Sequence, residues 1–524
     1  MRIHQTLPIL SALLGSALCG APERPNILWI TAEDLSPPLG CYGDPVAETP
    51  VIDRLAAEGL RFTHAFSTYG VCAPSRFSLI TGMYPQTSAA GAMRTGRRTA
   101  AIEEVKDPEL LAIPVYEAVP PAPVRCFPEQ LRAAGYYCTN NAKKDYQFND
   151  PATTWDESST EAHWRNRPDP DMPFFAVFNF YGTHESRIHS GANPEVTRRR
   201  DMDRILPPYV QDTPAAREDF ARQYDGVAAL DAFVKGLLEE LEADGLAGNT
   251  YVFFYSDHGD GLPRGKRWIY DSGTRVPLII RFPDGSRAGE VTDRLVDFTD
   301  FGPTVLSLAG IPKVAGINGQ AFLGAFEEAP RRYVYAARDR MDPYRECIRS
   351  VRGQRFRYVR NFLPNQPYLG FIPYRDRAAA WSEILQQQAQ GSLTADQWQF
   401  ADLPKPMEEL YDLQNDPWEL HNLAADPAHR EKLGEMRAAL ERFDTEYGRD
   451  LNRDFNGFNR TESELVRTIL WPPDGRQPTT TQPEISYRAV PGKRDEVLLS
   501  VISPDPGASI GYRFSNDGPW QVYT

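Results

Sequence analysis

Cysteine is scarce in this chain, 6 residues in 524, and no two of them form a CxxC pair. That spacing offers neither a thiolate zinc site nor a disulfide-dense scaffold. Cys126 and Cys138 are near enough in sequence to bridge in an oxidising compartment, while Cys41, Cys72 and Cys347 stand apart. Positive charge is also in the minority. Against 71 acidic residues there are 57 Lys and Arg, a net charge of −14, which argues against nucleic acid as a partner. A small anionic substrate in a locally basic pocket stays open. Beyond the first residues no segment is apolar enough to cross a membrane, and the chain has no internal repeats.

What is present begins with a leader. "MRIHQTLPILSALLGSALCG" carries Arg2 and His4, then a short apolar run, then Ala17 and Cys19 before Gly20. This pattern predicts a secretory signal over residues 1–20, with a lipid anchor on Cys19 as the weaker alternative. Export to the periplasm or the outside follows.

At this length two or three domains are expected. "PNILWITAED" is an apolar run ending in two acids, the pattern of a buried parallel strand. "TPVIDRLAAEGLRFTHAF" has Thr49 as a cap, Pro50 in the first turn and helical spacing, with His64 assigned to the core. Strand-like "FFAVFNFYGTHES" and "NTYVFFYSDHGD" alternate with helical stretches, so the fold expected is α/β, a mostly parallel sheet between helix layers. Residues 21–330 make this domain and 331–450 a smaller α+β subdomain. A Pro/Thr-rich linker (451–483) and a small β-sandwich-like module (484–524) close the chain. In such sheets ligands lie beyond the carboxyl ends of the strands, where Asp34, His184 and Asp257 fall.

Chemistry concentrates at those ends. In "VCAPSRFSLITG" a helix starting near Pro74 puts Cys72 at its positive end, with Arg76 one turn along the same face. On its own, a core cysteine near a surface arginine explains that motif as well. The pairs Glu33–Asp34 and Asp257–His258 change the balance, because buried carboxylates converging in a cleft call for a hard cation, Ca²⁺ or Mg²⁺ rather than Zn²⁺. Lys143, His184 and Lys266 follow strands on the same edge and complete an anion pocket. Arg94, Arg187, Arg338 and Arg340 are candidates for a substrate-facing rim, and Arg198–Arg200 for a solvated loop.

"CAPSR" together with "NILWITAEDLSPPLGCYGD", "SDHGDGLPRGKRWIYDSGTRVPLIIRFP" and "ELYDLQNDPWELHNLA" resembles the formylglycine-dependent sulfatases of the alkaline-phosphatase-like superfamily. The resemblance spans roughly Pro25–Pro427. It implies that Cys72 is converted to formylglycine by a formylglycine-generating enzyme, and that its hydrated aldehyde attacks sulfur. It makes Glu33, Asp34, Asp257, His258 and an oxygen on residue 72 the ligands of one Ca²⁺. Arg76 steadies residue 72, Lys143, His184 and Lys266 hold the sulfate, and His184 or Lys266 serves the leaving oxygen. Many members have a second histidine where this chain has Asp145, which makes Asp145 the candidate base for collapse of the diol. The substrate implied is a sulfated oligo- or polysaccharide, O- or N-sulfated. A phosphonate or phosphoester hydrolase and a non-catalytic polysaccharide-binding relative are the alternatives.

Overall fold

The computed structural model describes residues 24–94, 117–189, 206–341, 344–370, 372–400, 403–447, 480–489, 497–505 and 507–523. The leader, the run 198–200 and most of the linker lie outside them. The chain's central feature is a nine-stranded sheet ordered β4-β3-β5-β1-β6-β7-β2-β8, with β9 paired to β2. Its strands are β1 (Asn26–Ala32), β2 (Leu60–Phe66), β3 (Tyr137–Asn141), β4 (Glu157–Ser158), β5 (Phe174–Phe180), β6 (Thr250–Ser256), β7 (Arg275–Arg281), β8 (Val291–Thr292) and β9 (Val296–Asp297). Strands β4, β3, β5, β1 and β6 run parallel, whereas β7 is antiparallel to both β6 and β2.

Every residue of β1 is buried, because helices cover both sheet faces. Ile27 and Trp29 join Phe127, Leu131, Phe301 and Val305 on one side, from α3 (Phe127–Ala133) and α5 (Phe301–Leu308). Leu28 and Ile30 join Ile52, Leu55, Val227 and Leu230 on the other, from α1 (Pro50–Ala57) and the long α4 (Pro214–Ala243). Helix α2 is Cys72–Thr81.

The expectation for "TPVIDRLAAEGLRFTHAF" is corrected in its second half. The helix stops at Ala57, and Leu60–Phe66 is strand β2, whose Leu60, Phe62 and Ala65 are buried against β7. Gly59 allows the turn, since a Cβ there would lie 2.5 Å from Ile280 O. Thr49 is the N-cap by position only. Asp231 of α4 accepts from Val51 N at 3.0 Å and Ile52 N at 2.8 Å instead. Likewise His64 is half-buried and lines a cavity with Arg352 and Arg355 rather than sitting in a core. Cys126 and Cys138 are both free thiols.

A four-stranded antiparallel sheet follows, β10 (Val334–Arg338), β11 (Ile348–Arg352), β12 (Phe356–Asn361) and β13 (Glu408–Asp412). One face packs on helix α7 (Arg430–Tyr447) and the other on Phe220, Trp268 and helix α6 (Ala379–Gln390). Two short antiparallel ladders end the chain, Glu484–Ala489 with Val497–Ile502 and Gly511–Tyr512 with Gln521–Val522. Arg132 Nη2 ties the second ladder to α3 through Trp520 O at 2.6 Å.

Candidate active site

Because β5, β1 and β6 are adjacent and parallel, their carboxyl ends open side by side. Ala32 aligns with Phe180 and with Ser256, so Glu33–Asp34, Tyr181–His184 and Asp257–His258 leave the sheet at one level. Asp34 has φ +53°, a left-handed turn that an aspartate tolerates better than most residues. Gln223 of α4 holds that turn by donating to Asp34 O at 3.1 Å. A Cβ on Gly226, one turn further along the helix, would sit 2.7 Å from Gly182 O, so glycine there lets α4 press on the His184 loop.

Helix α2 delivers the cysteine from the opposite side. Val71 is extended, Cys72 is the first helical residue, and Ser75 Oγ donates to Asp257 O at 2.5 Å. Cys72 Sγ lies 3.1 Å from His258 Nε2 and 3.9 Å from Asp34 Oδ1. Arg76 donates to Asp257 Oδ2 at 3.0 Å and to Asn179 Oδ1 at 2.8 Å, and its buried Nη2 has no partner among the described residues. An arginine N–H left unsatisfied in a buried site is expensive unless a ligand oxygen takes it.

Asp34 is the hub. Lys266 Nζ donates to its Oδ2 at 2.7 Å and Glu185 N at 2.8 Å, while His258 Nε2 is 3.2 Å from Oδ1. Burial alone would raise the Asp34 carboxyl, but Lys266, His184 and His258 outweigh it and hold it below the carboxylate range. Asp257 is also held low, His258 and Arg76 outweighing burial. Glu33 goes the other way, since burial raises it more than Lys143, 3.2 Å away, lowers it. Against burial, Asp257, Cys72 and Asp34 raise His258 to about 9. His184 falls to about 3, through burial and the Lys266 ammonium 3.3 Å from its Nε2.

One ligand atom each from Asp34, Cys72, Asp257 and His258 lie within 4.8 Å of one another, and Glu33, Asp34 and His184 make a second such group. Asp34 is common to both. The four-residue group offers two carboxylates, one imidazole nitrogen and the residue-72 side chain, all buried, and Glu33 adds a third carboxylate nearby, which fits a hard divalent cation.

The remaining residues also have definite places. Asp145 receives Arg94 Nε at 3.2 Å and Nη2 at 3.1 Å, and lies 3.8 Å from Lys143 Nζ. Arg187 is exposed beside His184. Arg338 is not on any rim: it is 1% exposed and stacked on Trp268. Arg340 is spent on the carbonyls of Met93 and Arg94. Sequence reasoning passed over Asn179, Gln223 and the Glu185–Arg267 pair, whose two bonds are 2.6 and 2.7 Å. Asn179 precedes the strand end by one residue, and Glu185 directly follows His184; that proximity was the available signal.

A family model described as "Sulfatase" matches residues 25–311. The chain belongs to the sulfatase family. It is 41% identical to an "Ulvan-active sulfatase" of Formosa agariphila, over 96% of this chain and 87% of that one. It is 28% identical to the "N-sulphoglucosamine sulphohydrolase" of Homo sapiens, over 83% and 92%. Among solved structures, that of a "2-O GAG sulfatase" superposes with a TM-score of 0.59 at 21% identity, over 83% and 94%. The protein is therefore a sulfuric ester hydrolase on the alkaline-phosphatase-like fold, and its family implies a modified cysteine and a metal.

Proposed function

We propose that this sulfatase is exported and removes sulfate from a sulfated polysaccharide, with residue 72 as formylglycine and one Ca²⁺ bound. The observation that carries the reading is the position of Cys72 at the start of α2, its Sγ grouped with Asp34, Asp257 and His258 within 4.8 Å. That sulfur stands for the oxygen which modification would put on residue 72. Asp34, Asp257 and His258 would hold the cation with that oxygen, and Glu33 would complete the carboxylate set. When bound, formylglycine supplies a nucleophilic oxygen and Ca²⁺ supplies charge that favours its ionised form.

The chain's own residues do the rest. Arg76 Nη2, unpartnered, and the Lys143 ammonium receive sulfate oxygens, binding the group and its developing charge. Lys266 and His184, 3.3 Å apart, hold a proton where the sugar oxygen departs. The S–O bond to the sugar breaks, the sugar oxygen takes that proton, and the sulfuryl group leaves as sulfate with oxygen from water. Asp145, gripped by Arg94 and kept anionic, acts mainly by placing Lys143.

The polysaccharide substrate is supported by the ulvan-active relative at 41% identity. The test is mass spectrometry of the Cys72 peptide after coexpression with a formylglycine-generating enzyme, alongside sulfate release from sulfated oligosaccharides. A converted peptide and release that Cys72→Ala abolishes are expected. A peptide that stays cysteine in an active enzyme overturns the mechanism.

A further inference from the structure

Asn179 is the last residue but one of β5, level with Thr31 of β1, and its side chain joins two sides of the site. Its Oδ1 accepts from Arg76 Nη1 at 2.8 Å. Its Nδ2 donates to Asn140 Oδ1 at 3.1 Å and to Asn141 O at 3.0 Å, at the end of β3. Asn140 is wholly buried, and its own Nδ2 donates to Lys143 O and to Ser158 Oγ, both at 3.1 Å. Two amides therefore form a relay from the guanidinium of Arg76 on α2 to the turn that carries Lys143.

The direction of every bond between these groups is forced. An arginine only donates, so Asn179 presents its oxygen to Arg76 and its nitrogen to β3. The carbonyls of Asn141 and Lys143 only accept, which orients both amides from the far end as well. Aspartate at 179 has no hydrogen for Asn140, and leucine has neither donor nor acceptor. Mutual satisfaction of buried polar groups is reason enough for Asn140, but Asn179 does more. With Nε on Asp257 and Nη1 on Asn179, the planar guanidinium has two fixed edges, and the direction of Nη2 follows from them. That nitrogen is the one placed on a sulfate oxygen. Because the second acceptor is a neutral amide, Arg76 faces one carboxylate rather than two and keeps charge for the sulfate.

We propose that Asn179 is a positioning residue for the sulfate group. It aims Arg76 Nη2 and, through Asn140, fixes that guanidinium relative to the Lys143 turn. This deepens the sulfate-binding reading and rests on it, because Arg76 and Lys143 receive the sulfate oxygens there.

A double-mutant cycle in the full chain tests this, comparing Asn179→Leu, Arg76→Ala and the pair in kcat/KM on a sulfated oligosaccharide. Asn179→Leu alone is expected to lower kcat/KM by about 10- to 100-fold, the cost of a misplaced binding group. In the Arg76→Ala background the same change is expected to cost less than about threefold, since no guanidinium is left to aim. Equal losses in both backgrounds are what general structural damage would give, and they overturn the proposal. Binding of inorganic sulfate, followed by titration calorimetry, is a second readout that needs no turnover. Asn179→Leu is expected to weaken it about tenfold, and unchanged affinity also overturns the proposal. If Asn179→Leu does not fold, Asn179→Asp replaces it, keeping the size and the acceptor but adding charge beside Arg76. The same tenfold weakening of sulfate binding is expected, with the same outcome overturning the idea. An Arg76→Ala enzyme as active as the unaltered one defeats the sulfate-binding reading, and the proposal with it. An unaltered enzyme that binds sulfate but desulfates no oligosaccharide defeats the polysaccharide reading alone, and the binding ratio still decides the role of Asn179.

Discussion

The ammonium of Lys266 donates to Asp34 Oδ2 at 2.7 Å, with the two side chains 2% and 0% exposed. Its other neighbours are His184 Nε2 at 3.3 Å and Glu185 Oε1 at 3.4 Å, so the lysine links the acid hub to His184. Lys266→Ala is expected to lower kcat on a sulfated oligosaccharide by about 10²- to 10³-fold, the range for one preorganised donor. Stability also drops, by up to about 3–5 kcal/mol, as Asp34 loses a buried partner. A variant within threefold of the unaltered enzyme would remove Lys266 from the reaction.

Removing the cation should loosen the fold as well as stop turnover. Asp34, Asp257 and Glu33 are all 1% exposed or less, so their mutual repulsion has no solvent to relax into. Dialysis against a chelator is expected to lower the thermal midpoint and abolish sulfate release. Calcium at about 100 times its Kd restores roughly 2.7 kcal/mol and the activity. Full activity and an unchanged midpoint in chelator, with no metal found by elemental analysis, would refute the cation.

Asp145 poses a choice between base and positioning residue. A base must accept a proton, and this carboxyl is kept below its usual range by Arg94 and Lys143 in spite of burial. Asp145→Asn keeps the shape and one acceptor, and is expected to cost less than tenfold in kcat without shifting the pH profile. Arg94→Ala should raise KM by a similar factor, because Lys143 then shares a freer Asp145. A fall above a hundredfold in Asp145→Asn, with loss of the basic or acidic limb, would instead assign it the proton.

The parts of the site legible in the sequence are those that sit within two residues of a strand end or a helix start. Asp34 and Asp257 are of this kind, since the adjacent parallel strands β1 and β6 bring them together, and Cys72 is the first residue of helix α2. Contacts made by a residue's far neighbours were not legible. Arg338 is the last residue of strand β10, near a strand end as Lys143 is, yet Trp268 and the second sheet bury it. Strand β2 was hidden because "LRFTHAF" continues the apolar spacing of α1, and only its pairing with β7 makes it extended. Helix capping was misjudged for the same reason: Thr49 is placed to cap α1, but an aspartate 180 residues away in sequence captures the same N–H groups.

Helix α4 repeats that device at its other end. Asp219 is fully buried and accepts from Ala380 N at 2.7 Å, at the start of α6, whose own N-cap is Ala378 and supplies no side-chain bond. Burial raises the carboxyl from 3.8 to about 6, although the Ala380 N–H and Arg222 oppose the rise. A carboxyl raised in the folded state binds its proton more tightly there than in the unfolded chain. Its contribution is therefore largest below pH 3.8 and is lost as pH climbs through 6, about 3 kcal/mol in all. Asp219→Asn keeps an acceptor for Ala380 N but cannot ionise. The variant is expected to gain thermal stability relative to the unaltered protein as pH rises from 4 to 7, whereas Asp219→Ala, which also cannot ionise but lacks the acceptor, is expected to lie about 1 kcal/mol below Asp219→Asn at every pH. Parallel midpoint-versus-pH curves for the unaltered protein and Asp219→Asn would show that Asp219 titrates alike in both states, and would refute the linkage.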